Sequence, residues 1–286
     1  MASKLGVLVI HGMGSQEPGF SAPMVAEIQN RLGGVAERVV WKELFWADLL
    51  QEREEDLWRA METATCDDGH DVPLSHHGLR KFILHSFGDA VAYQKDGSRH
   101  DNIYRLIHNR VSECVQSLIS LLGEESAPVV VLAHSLGGHI ISNYLWDRQH
   151  IPAGESDPQE SIDNLLGLIT MGCNMPLFSL AYSEAHPIQI PGSGITNHEL
   201  IQNAAWLNYY DKNDVFGWPV LPMYAKNLSA LTLGEMETYD RIRDFEINVG
   251  SIFSSWNPLS HEAYWTDNNF TTPVAKYLKE IISVLA

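Results

Sequence analysis

The chain has 286 residues, 45% of them apolar, and a net charge of −17 with its histidines neutral. This is enough for one large α/β domain with a sizeable core, and nothing in it resembles a membrane span of about 20 apolar residues. The acidic balance argues against nucleic acid or an anionic membrane as partner, because both repel such a surface.

Leu5 to Ile10 is a short apolar run that reads as a buried strand, followed by His11, Gly12, Met13, Gly14 and Ser15 and a loop with Pro18 and Gly19. Met24, Val25, Ile28 and Leu32 mark a helix that stops at Gly33 and Gly34. Residues 38–44 predict the next strand. Over residues 46–100 the pattern loosens. Glu52, Glu54, Glu55 and Asp56 read as a solvated acidic helix face around Leu57, Trp58 and Met61. The stretch is too long for a bare connection, so a helical cap or flap is expected, inserted into a single domain spanning 1–286. His70, His76 and His77 lack the paired spacing of zinc motifs and read as surface histidines. His85, Ser86, Phe87 and Gly88 mimic a nucleophile motif, but Leu84 stands where a small residue is needed. Asp89 to Tyr93 reads as ordinary helix. Ile103, Ile107, Val111, Val115, Leu118 and Leu122 share one face of a long helix that ends at Gly123.

Val129, Val130, Val131 and Leu132 predict a buried strand, and Ile140, Ile141, Tyr144 and Leu145 a helix. Between them lie Ala133, His134, Ser135, Leu136, Gly137 and Gly138. A serine at a tight strand-to-helix turn is a nucleophile elbow, which strains the serine backbone and lifts its hydroxyl clear of the sheet, where it is expected to be exposed. The small residues two before and two after, here Ala133 and Gly137, let strand and helix approach. Alanine stands where glycine is usual. Residues 151–163 read as a loop and 165–171 as a strand. Residues 175–195 have no period and are expected to wall a pocket; His186 reads as a loop histidine. Residues 206–210 predict a strand running into Asp211, Lys212, Asn213 and Asp214. Residues 245–249 predict the last strand, and 273–285 the closing helix.

On the elbow and its flanking elements, the chain resembles the α/β-hydrolase superfamily of esterases and lipases from Leu5 to near the C-terminus. The resemblance implies a mostly parallel central sheet flanked by helices. It implies an oxyanion hole made by the N–H groups of Met13, in the stretch His11, Gly12, Met13, Gly14, and of Leu136, the residue after the nucleophile. It places the triad acid in the turn after a late strand, where Asp214, just ahead of Val215 and Pro219, is favoured over Asp211. It places the base at His261, in a His-x-x-Tyr-Trp stretch similar to bacterial esterase-like enzymes. Asp211 would then cap turn N–H groups.

The chain order Ser135, Asp214, His261 is that of α/β-hydrolases. The expected reaction is carboxylic ester hydrolysis through an acyl-serine, on a small-molecule ester, with no cofactor or metal. A thioester, lactone or amide would use the same machinery, and a non-catalytic binding module would use the same scaffold. A lipase with a membrane-facing lid is disfavoured by the charge. Cys66, Cys114 and Cys173 form no disulfide framework. With no export signal ahead of Leu5, a cytoplasmic location is expected.

Overall fold

The computed structural model describes residues 3–65, 74–95, 102–124, 126–151, 162–226, 228–250 and 261–285. His70, Cys66 and the loop residues 257–260 lie outside these. The chain divides into two compact units: one of Met1–Gly12, Gly19–Leu44 and Val111–Ala286, the other of Met13–Pro18 and Phe45–Arg110.

The first unit holds a six-stranded sheet of β1 (Leu5–Ile10), β2 (Val39–Leu44), β3 (Val129–His134), β4 (Leu165–Met171), β5 (Ala205–Tyr210) and β6 (Ile242–Glu246), in the order β2-β1-β3-β4-β5-β6. Every pairing among the described residues is parallel. A parallel sheet is covered on both faces, so its central strands are apolar on both sides. β1, β3 and β4 are accordingly buried throughout. Each aliphatic side chain so buried contributes about 1.5–3 kcal/mol. The edge strands β2 and β6 are only partly buried.

The helices are α1 (Ala22–Leu32), α2 (Asp48–Glu62), α3 (His77–Ala92), α4 (Ile103–Leu122), α5 (Leu136–Gln149), the short α6 (Met175–Phe178), α7 (His198–Asn203), α8 (Leu221–Ala225) and α9 (Leu233–Tyr239), and α10 (Asn268–Val284). α1 packs on α10. The chain leaves β1 toward β2 on one side and later returns to place β3 on the other. This change of direction makes a crevice at the carboxyl ends of β1 and β3, the place where open α/β sheets hold their ligands. Residues 11–12 and Ser135 emerge there.

Two boundaries differ from expectation. The last strand is Ile242–Glu246, not 245–249. Val249 instead lies beyond the strand, its N–H donating to the Asp211 carboxylate. The closing helix begins at Asn268, where the Asp267 side chain accepts the Asn269 N–H, and runs through Pro273. Burial of Phe270, Val274, Leu278 and Ile281 along one face holds that helix despite the proline.

In the second unit α2 packs on α3. The acidic face of α2 is not all solvated: Leu50, Glu54 and Trp58 are buried, and Leu57 is exposed. Residues four apart share a helix face, so the stripe through Leu50 and Trp58 carries Glu54 inward. α3 answers with His85, Ser86 and Asp89. Among the described residues no helix is long and apolar enough to cross a membrane. No group of three or more His, Cys, Asp or Glu among them is placed to hold a metal ion.

Candidate active site

β3 ends at His134 and α5 begins at Leu136, which leaves Ser135 to make the whole turn. Its backbone sits at φ 51°, ψ −124°, a conformation that costs a non-glycine residue about 1–3 kcal/mol. The turn is held from both sides. The Ser135 N–H donates to the Met171 carbonyl at 3.0 Å, and the Ser135 carbonyl accepts the Gly138 N–H at 3.0 Å.

Glycines close the crevice. A Cβ on Gly12 would meet the Ser135 Cβ at 2.6 Å, and one on Gly137 would meet the His11 carbonyl oxygen at 2.5 Å. The end of β1 and the start of α5 therefore interlock with no room for a side chain. Because of this close packing Ser135 is fully buried, contrary to the expectation of an exposed hydroxyl. Leu136, also buried, supplies the first N–H of α5, a group without an intrahelical acceptor at the positive end of the helix. The His11 ring is buried, with Nδ1 2.8 Å from the Gly12 carbonyl oxygen and the ring in a T-shaped contact with Phe20, centroids 4.9 Å apart. Met13 and Gly14 continue the chain from Gly12 and belong to the second unit.

The turn after β5 separates the two aspartates. Asp211 accepts the Asn213 N–H at 2.8 Å through Oδ1 and the Val249 N–H at 2.7 Å through Oδ2. Asp214 accepts the Phe216 N–H at 2.9 Å through Oδ1. Its Oδ2 accepts His261 Nδ1–H at 2.8 Å and the Tyr264 hydroxyl at 3.0 Å. Only Asp214 reaches the histidine. Burial pushes the Asp214 carboxyl up, but the His261 hydrogen bond and charge, the Phe216 N–H and the Tyr264 hydroxyl together hold it below the usual range. With Nδ1 donating to a carboxylate, the neutral imidazole has Nε2 as its basic atom.

Among the described residues, the buried Ser135 Oγ and His261 Nε2 have no hydrogen-bond partner. The two are not bonded to each other.

Three supports were not recognised in the sequence. His134 Nε2–H donates to the His261 carbonyl at 2.7 Å, and the two rings lie 4.7 Å apart. Burial, and then the neighbouring His261, push the His134 ring down to about 4, so it stays neutral. Tyr264 bridges the aspartates, as its oxygen also accepts the Asp211 N–H at 2.8 Å. Gly172, at φ 58°, leaves space for the His261 ring, since a Cβ there would lie 3.0 Å from its Cε1. The spacing from His261 to Tyr264 was the available signal for the second. A cavity of about 610 Å³ opens at the other end of β5, beside Asn203, Arg241 and Lys276, and takes no part in this site.

No family model matches the chain, and no curated protein sequence matches it significantly. Among solved structures it is similar to the dienelactone hydrolase of Anabaena variabilis ATCC 29413, at 17% sequence identity, with 98% of this chain and 85% of that chain covered and a TM-score of 0.44.

Proposed function

We propose that the chain is a serine hydrolase of the α/β-hydrolase type that cleaves carboxylic esters. The observation that carries this reading is the pairing of a strained serine at the end of β3 with an imidazole whose Nδ1 is tied to a buried carboxylate.

In this mechanism Ser135 Oγ attacks the acyl carbon while His261 Nε2 takes its proton. The carbonyl π pair moves onto oxygen. The oxyanion is met by the Leu136 N–H and by the Met13 N–H, which belongs to the peptide leaving Gly12; each such donor contributes about 3–4 kcal/mol in a comparable hole. The bond to the alkoxy oxygen then breaks, His261 returns the proton to it, and the alcohol leaves. Water repeats the sequence on the acyl-serine. Asp214 holds the tautomer and stabilises the imidazolium. Because Ser135 is buried, the site must open before a substrate enters.

The test is hydrolysis of p-nitrophenyl esters of rising acyl length, together with labelling by an organophosphate. Ser135→Ala is expected to abolish both and Ser86→Ala to leave both nearly intact. Labelling that survives Ser135→Ala, or no labelling of the native chain, would overturn the reading and favour a binding module.

A further inference from the structure

We propose that Asp89, joined to Glu54 by a shared proton, is a positioning residue that clamps the loop Met13–Pro18 through the Gly14 N–H. The proposal rests on the hydrolase reading only in what the clamp is for.

Asp89 is buried on α3, and its Oδ2 accepts the Gly14 N–H at 2.7 Å. Gly14 has φ 91°, a conformation that side chains resist, so the peptide is committed to an unusual path and the carboxyl holds it there. Gly14 follows Met13, so fixing the Gly14 N–H fixes the plane next to the Met13 N–H.

Glu54, buried on α2, carries its carboxyl to the same stretch of α3: a Cβ on Gly88, the residue before Asp89, would lie 3.2 Å from Glu54 Oε1. Two ionised carboxylates have no donor between them, so the contact requires a proton. Among the described residues Glu54 Oε1 is a buried oxygen with no hydrogen-bond partner, and the O–H of a protonated Asp89 is the donor we assign to it. Burial raises both carboxyl groups well above their usual range.

The surroundings offer limited compensation. From α3, His85 Nδ1 lies 3.1 Å from Glu54 Oε2, but burial lowers the ring's basicity. From α2, Glu55 lies 3.6 Å from His85 Nε2 and is itself bonded to Lys81 of α3. From the loop, the Ser15 hydroxyl approaches His85 at 3.5 Å. Loss of the shared proton therefore sets two anions against each other. Their repulsion outweighs one amide hydrogen bond, so the pair parts and the loop loses its anchor.

Labelling with carbonyl-¹³C methionine and ¹⁵N glycine isolates the two Met-Gly peptides of the chain, Met13–Gly14 and Met171–Gly172. Gly172, whose N–H donates to the Tyr209 carbonyl, is the internal control and is assigned by its loss in Gly172→Ala. The Gly14 amide proton is expected to titrate at alkaline pH in the native chain and not in Asp89→Asn, whose amide keeps both hydrogen bonds without a titrating proton. Ester hydrolysis is expected to lose kcat, not KM, over the same range in the native chain. Asp89→Asn removes that alkaline fall, and Asp89→Ala lowers kcat about tenfold or more at every pH with KM little changed. A Gly14 amide that does not titrate, or an alkaline limb unchanged in Asp89→Asn, overturns the clamp. If Ser135→Ala hydrolyses like the native chain, the hydrolase reading fails, and the Gly14 titration alone still decides the clamp.

Discussion

Tyr264 and His261 share one oxygen of Asp214: the Tyr264 hydroxyl donates to Asp214 Oδ2 at 3.0 Å, the same atom that accepts His261 Nδ1–H at 2.8 Å. The phenol oxygen also accepts the buried Asp211 N–H. One hydroxyl thus restrains both aspartates of the turn. Tyr264→Phe strands the Asp211 N–H and should cost about 1–3 kcal/mol of stability. It also leaves Asp214 Oδ2 with one donor fewer, so that oxygen holds the His261 proton more tightly. The Tyr264 hydroxyl is among the donors that hold the Asp214 carboxyl low, so without it Asp214 takes up its proton at higher pH and the acid limb of kcat/KM should move with it. A pH profile that overlays on the native one would show that the phenol does not tune the pair.

The two aspartates should fail in different ways. Asp214→Asn presents His261 Nδ1 with a group that favours the wrong tautomer, and kcat should fall by about 10⁴, as in the serine-protease template. Asp211→Asn keeps an oxygen for one of its two capped N–H groups and loses the other. It should lower stability by about 1–3 kcal/mol and leave kcat within a few-fold. Chemical denaturation and ester kinetics on both variants separate the roles. Equal kcat losses would contradict the assignment.

Gly172→Ala tests the space kept for the imidazole. The new methyl would stand 3.0 Å from His261 Cε1 and 3.1 Å from its Nδ1. Gly123→Ala is the matching control: its φ is 70°, so backbone strain is similar, but nothing lies within 4 Å of the added methyl. Both substitutions should destabilise by about 1–2 kcal/mol. Only Gly172→Ala should also lower kcat, by about 10²-fold if the ring moves by an ångström. Native kcat in Gly172→Ala would count against His261 as the proposed base.

What could be read in the sequence was local. Val129–Leu132, the turn and Ile140–Leu145 carry their own periods, so the elbow at Ser135 was legible within one short stretch. The choice between Asp211 and Asp214 was not, because both cap N–H groups two residues ahead. What distinguishes them is His261, 47 residues further on. Nothing local to His134 shows that its ring would reach the His261 carbonyl. Asp89 looked like ordinary helix for the same reason: its partners, Gly14 and Glu54, are remote in sequence. The burial of Ser135 was missed because an elbow predicts a projecting hydroxyl, not what packs over it.

His134→Gln and His134→Phe test the hydrogen bond to the His261 carbonyl. Glutamine can restore a donor and phenylalanine cannot, so kcat should fall about tenfold more in the second than in the first. Both should also change acid stability. His134 is held neutral in the fold, down to about 4, whereas an unfolded histidine titrates near 6.5. The unfolded chain therefore binds more protons between these values, and the native chain loses stability as pH falls through that window. Either substitution should flatten that loss. Urea midpoints that change with pH just as the native ones do would show that His134 is protonated in the fold.

Asp89 and Glu54 give a pH dependence of the opposite sign. Burial raises both, to about 8 for Asp89 and about 7 for Glu54, while unfolded carboxyls titrate near 4. Between these values the folded chain holds a proton that the unfolded chain has released. Stability contributed by the pair is therefore fully present below about pH 4 and declines as pH rises toward about 8, then levels off. Asp89→Asn removes the group with the higher value and keeps the Gly14 acceptor. It should leave the chain less sensitive to pH over that window, and more stable relative to the native chain at its alkaline end than at its acid end. Urea midpoints across the window check this by the difference between the two proteins, which cancels the titration of all other groups. If the native-minus-variant difference does not change with pH, the two carboxyls carry no shared proton in the fold, and the contact between α2 and α3 must be held by other means.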